Sequence, residues 1–184
     1  MITLDVAVDF PKRLSSLADK RIRAAAAQAL SRTAFDARDA VRASLPQNFT
    51  LRRPWVAQGI GALPATPQRL VAVVYSRDHF MRLQETGGEK SGKIAIPVGR
   101  MAEIARTQVI PKGLWPKALR GKKGVFVRQG MVLQRSGKRI APLWLLRRRQ
   151  MVEPRLQMRQ TSADVVQARF AAQFRRAWAA SLKA

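Results

Sequence analysis

Apolar residues alternate with polar or small ones through "ITLDVAV", where Ile2, Leu4, Val6 and Val8 share one side, the period of a half-buried strand. From Pro11 to Leu45 the spacing changes to three and four, through Leu14, Leu17, Ile22, Ala25, Ala29, Ala37 and Val41. Alanine is abundant there and glycine absent, which predicts the longest helix of the chain, ended by Pro46. Ser16 and Asp19 stand at capping-box spacing, so the first turns are expected to form a separate short helix. The stretch "NFTLRRPWVAQGIGALPATP" is broken by Pro54, Gly59, Gly61, Pro64 and Pro67. After it "RLVAVVYS" and "KIAIPV" read as strands. Between them, "DHFMRLQETGGEKSG" predicts an exposed loop in which Gly87 or Gly88 takes a positive φ, a loop available to assembly. "RMAEIAR" predicts a short helix. "GVFVRQGMVLQRSGKRIAPLWLLRR" divides at Gly130 and at Ser136 with Gly137 into three strands of an antiparallel meander. A last amphipathic helix is expected to start at the capping-box pair Thr161 and Asp164 and to run through Val166, Phe170, Phe174, Ala177, Trp178 and Ser181.

Strand, long helix, several strands and a closing helix make an α+β domain, an antiparallel sheet packed by a long N-terminal helix and a C-terminal helix. The expectation is a single domain over residues 1–184. Nearly half of the 184 residues are apolar, enough for a real core and too many for a disordered basic tail. Trp144, Phe170, Phe174 and Trp178 are the expected core or subunit-packing residues. No internal repeat is present.

Charge changes the picture. Lys and Arg number 35 against 11 Asp and Glu, a net charge of +24, and no acid occurs between Glu103 and Glu153. Self-repulsion on that scale favours an anionic partner, which leaves nucleic acid, an anionic membrane surface or an acidic protein. The chain has no cysteine, so disulfides and thiolate metal sites are excluded. No apolar run approaches the roughly 20 residues that span a bilayer, and "MITLDVAVDF" lacks the basic start and apolar core of a signal peptide. A cytoplasmic protein is expected.

Catalysis needs a constellation of groups, and the sequence offers none. His79, the one histidine, stands beside Asp78 and reads as a loop residue. The acids are scattered, and only Asp78, Glu85 and Glu89 are close enough to consider as metal ligands, although solvated acids are the expected reading. Gly87 with Gly88 is a turn signal and not a phosphate loop. Aromatic and basic residues are not interleaved as stacking platforms require, and no zinc-finger or RNA-recognition signature occurs. The expectation is therefore no enzyme, no cofactor and no metal, with diffuse cationic charge that grips phosphates without reading bases.

The stretches "FTLRRPWVAQGI", "LVAVVYSRDHFMRLQETGGEKSGKIAIPV" and "GVFVRQGMVLQRSGKRIAPLWLLRRRQMVEPRL", in that order, resemble the minor tail and tail-completion proteins of long-tailed bacteriophages and prophages, the minor tail protein Z-like group. The resemblance covers the chain from the long helix to the last one. It implies a virion protein of the neck or tail, present in the host cytoplasm during assembly. Such a protein would form a homo-oligomeric ring, plausibly a hexamer, around the DNA channel between head-connector and tail-tube proteins. It would touch duplex DNA nonspecifically and no membrane. "PLWLL" would then be a buried strand and Arg147, Arg148 and Arg149 the place where it emerges toward an anionic surface, although consecutive strand residues cannot all face one side. Lys122 and Lys123 of "RGKKG", with Arg128, Arg135, Lys138 and Arg139, are further candidates to face nucleic acid. The alternative from the residues alone is a free, sequence-independent nucleic-acid-binding protein, a packaging or nucleoid factor.

Overall fold

The computed structural model describes the backbone of residues 3–5 and 16–183 and the side chains of residues 19–182. In chain order its elements are β1 (Thr3–Asp5), α1 (Ser16–Asn48), α2 (Trp55–Gln58), β2 (Ile60–Leu63), β3 (Val73–Ser76), α3 (Phe80–Thr86), β4 (Gly88–Pro97), α4 (Arg100–Thr107), a 3-10 turn (Lys112–Leu114), α5 (Pro116–Leu119), β5 (Val125–Arg128), β6 (Met131–Ser136), β7 (Arg139–Val152) and α6 (Met158–Lys183). The fold is α+β. Its strands fall into two antiparallel sheets instead of the single sheet expected, with orders β1-β3-β2 and β4-β7-β6-β5. The chain divides into two compact units, Met1–Thr86 with Pro154–Ala184, and Gly87–Glu153. The expected ends of the first strand, the start of the long helix at Pro11 and the Ser16 cap lie outside the described residues.

In the first unit α1 buries Ala26, Ala29, Leu30, Ala37, Val41 and Leu45 at helical spacing. Leu30, Ala37, Val41 and Leu45 cluster with Ile60 of β2 and Val74 of β3, the central strand of this sheet. The buried Thr33 hydroxyl donates to the Ala29 carbonyl at 2.8 Å, so it adds no unsatisfied group to the core. Pro46 does not stop the helix as expected. It lies in the last turn, where its missing N–H removes one bond, and the Phe49 N–H closes the turn on the Leu45 carbonyl at 2.9 Å. On the solvated side Arg38 donates to Asp39 at 2.8 and 3.1 Å and holds that carboxyl below the usual carboxylate range, against a smaller opposing effect of burial. A depressed carboxylate adds stability above its unfolded pKa and loses it as pH falls through the folded value. The exposure of this pair keeps the contribution small.

The stretch expected to be a loop after β3 is a helix and then a strand. Met81 is 1 % exposed and anchors α3 in the core, a burial that the polar residues around it conceal in sequence. Gly87 (φ 68°) and Gly88 (φ 122°) end α3 and lead into β4. Valine at either position would be strained, and Gly87→Val and Gly88→Val are each expected to lose about 1 to 3 kcal/mol in urea denaturation.

The last helix packs along α1, to which it is tied by Arg169 to Asp36 at 3.2 Å and Gln173 to Asp36 at 3.3 Å. Val165 and Phe170 add to the same core, and Phe170 stacks on Phe174 with ring centroids 6.3 Å apart. Phe174 and Trp178 are half-buried. The helix begins at Met158, not at Thr161. Its cap comes from 73 residues away: the Glu85 carboxylate accepts the N–H groups of Met158 and Arg159 at 2.8 and 3.0 Å, and Asp164 instead receives the Gln160 amide. A carboxylate on two free N–H groups satisfies orphan donors and complements the helix dipole. Glu85→Ala should therefore cost about 1 to 2 kcal/mol, measured as a lower urea midpoint at unchanged slope.

In the second unit β5, β6 and β7 form the expected meander. Gln129 and Gly130, both at positive φ, supply the two central residues of the first turn. The 14-residue β7 also pairs with β4, from Trp144 to Val152. One side of this sheet carries Val132, Trp144, Leu146 and Val125, which form a core with Met101 of α4, Leu114 of the 3-10 turn and Leu119 of α5. Trp144 is 6 % exposed, and its ring nitrogen donates to the Leu114 carbonyl at 3.0 Å.

Candidate nucleic-acid interface

Strand register decides where the cations go. Residues directly opposite one another in an antiparallel pair share a face, and successive residues alternate. Val132 is opposite Trp144, so the helix-covered face continues along β7 through Leu146 and Arg148. Met131 is opposite Leu145 and Ile94 opposite Arg147, so the other face of the sheet holds Leu145, Arg147 and Arg149. The triplet is split, with Arg147 and Arg149 on one face and Arg148 on the other.

The same count places the remaining candidates. Arg128, opposite Met131, belongs to the face of Arg147. Arg135 is there too, with its guanidinium 5.9 Å from the centre of the Phe126 ring. Arg139 falls on the helix-covered face beyond the helices, and Lys138 lies in the turn before it. Lys122 and Lys123 lie in the turn before β5, where the Lys122 amine donates to the Gly113 carbonyl at 3.2 Å. All nine are exposed. Arg149 meets Glu89 at 3.5 Å, but an ion pair whose members are 77 % and 46 % exposed is worth about 0 to 1 kcal/mol and leaves the surface cationic.

Sixteen Lys and Arg face three Glu in residues 87–153, which concentrates the charge excess in this unit. A field so unbalanced attracts polyanions over a Debye length of about 8 Å at physiological salt. The face of Arg147 has a second character. Phe126, Met131, Leu133, Leu145 and Ile96 are half-buried there, Ile140 is 50 % exposed and Met151 72 %. Arg, Met and aromatic residues on one surface are the composition of a protein contact.

Pairing also assembles a group that the linear sequence does not show. Between Ser91 and Ile94 the register shifts, so that Gly92 and Lys93 stand opposite the single residue Arg148. The bulge brings Lys93 to a groove of about 820 Å³ that Trp115, Lys117, Arg120 and Arg148 also line. The nearest sequence signal is "LWPKALR", in which an aromatic residue and two cations do occur within six positions.

The acids considered as ligands do not come together. Glu85 is the helix cap, Glu89 pairs with Arg149, and one Asp78 oxygen is buried without a hydrogen-bond partner, beside Gly59. Among the described residues no group of three or more His, Cys, Asp or Glu could hold a metal ion. His79 is exposed. No helix among the described residues is long and apolar enough to cross a membrane. Neither a family model, nor a curated protein, nor a solved structure matches the chain.

Proposed function

We propose that the chain is a structural virion protein of a long-tailed phage, a tail-completion or neck subunit that forms a ring around the DNA channel and holds duplex DNA by its phosphates. The observation that carries this reading is the cationic surface of residues 87–153, where the 49 positions from 104 to 152 contain no acid. A surface of that kind binds a polyanion without reading its bases. The resemblance of three ordered stretches to the minor tail protein Z-like group supports the virion setting. The two sheet faces suit two contacts. The apolar face with Arg128, Arg135, Arg147 and Arg149 packs against a neighbouring subunit, and Arg148, Lys122 and Lys123 face DNA.

Electron microscopy of particles that contain the chain tests this directly. The expected result is a closed ring at the neck or tail with Arg148 toward the channel. Absence of the chain from purified particles, with the protein bound to intracellular nucleic acid instead, would replace the reading by that of a free packaging or nucleoid factor.

A further inference from the structure

We infer that the groove between α5 and the β4–β7 bulge is a binding site for single-stranded nucleic acid, in which cations hold consecutive phosphates and one unpaired base stacks on Trp115. The site shares Arg148 with the proposed duplex contact, differs from it in offering a ring for an unpaired base, and does not rest on the ring of subunits. The volume, about 820 Å³, lies within the range of ligand sites. Lys93, Lys117, Arg120, Arg147 and Arg148 line it, and no acid does. None of these five forms a salt bridge among the described residues, so their charge is available to a ligand.

Trp115 supplies what a simple phosphate clamp does not need. It is 48 % exposed although it is among the largest apolar side chains of the unit, and its ring nitrogen donates to the Ile110 carbonyl at 3.1 Å. That bond fixes the ring before a ligand arrives, which lowers the ordering cost of stacking. Pro116 follows it at the start of α5 and lines the same wall. A fixed aromatic ring among uncompensated cations in a concave groove is the chemistry of single-strand recognition, since every base has a face that can stack and a paired base does not offer it. An acidic peptide would satisfy the cations but leave the ring without a partner of its own kind.

The test uses the full chain and fluorescein-labelled oligothymidylate, oligouridylate, an abasic strand of equal length, a duplex and polyglutamate, with affinity read by anisotropy. Oligothymidylate is expected to bind more tightly than the abasic strand, and Trp115→Ala to weaken it at least about five-fold while the abasic strand is unaffected. Trp115→Phe should restore most of the loss. Lys117→Gln with Arg120→Gln should weaken both strands, and serves as the second test if Trp115→Ala does not fold by circular dichroism. Stronger binding of oligouridylate would assign the groove to RNA, and of oligothymidylate to DNA, both within the inference. Equal loss on strands with and without bases, no loss on either, or equal affinity for polyglutamate would overturn it.

Discussion

Trp144→Ala is expected to remove about 3 to 5 kcal/mol of stability, the largest effect of any single substitution in residues 87–153. Trp144 is 6 % exposed, lies opposite Val132 in the register and donates to the Leu114 carbonyl. Truncation leaves a cavity under α4 and α5 and also orphans that carbonyl. The consequence reaches the candidate interface, because Arg120 directly follows α5 and Arg148 lies in β7. Urea denaturation followed by tryptophan fluorescence should show the loss, and incorporation into particles should fail with it. Phe174→Ala serves as the comparison. Its side chain is half-buried and stacked on Phe170, so its truncation is expected to cost only about 1 to 3 kcal/mol. Equal stability of Trp144→Ala and the unmodified protein would contradict the core assignment.

The second large effect separates the three consecutive arginines. On the proposed reading, Arg148→Gln is expected to leave assembly intact and to weaken DNA retention in the particle. Arg147→Gln with Arg149→Gln is expected to reduce ring formation, because these two share the face of Phe126, Leu133 and Leu145. Truncating buried Arg contacts at an interface typically costs about 2 kcal/mol or more, roughly thirty-fold in affinity. Particle yield and DNA retention, measured for both variants alongside their folding, give the comparison. Normal retention in Arg148→Gln would remove that residue from the channel. Normal assembly in the double variant would remove the other two from the subunit contact.

Periodicity made the long helix, the meander and the last helix legible, because each buries one continuous stripe: Leu30 to Leu45 in α1, Val132 and Trp144 in the second sheet, Val165 and Phe170 in α6. Long-range chemistry was not legible. The start of α6 depends on Glu85, and no local spacing announces an acceptor in another helix. The helix Phe80–Thr86 is held by a single buried residue, Met81, too little to form a stripe. Division of the strands between two sheets is a matter of pairing partners, which the residues of a single strand do not specify. For the interface, the sequence revealed the charge excess and the alternation of the arginine triplet. Lys93 joined Arg148 only through the bulge at Gly92, whose φ of 127° sequence does not specify. Trp115 stands eight positions after Thr107 in a stretch with no regular period, which hid its place beside Arg120.

The claim that the cationic surface of residues 87–153 grips nucleic acid through phosphates is tested most directly by salt titration of the purified chain on duplexes of unrelated sequence. The account predicts nearly equal affinities for all of them and a linear fall of log affinity with log salt, about −0.9 for each phosphate held and about −4 or steeper in total. Affinity that stays constant from low to high salt, or equal binding to a strand with an uncharged backbone, would contradict it.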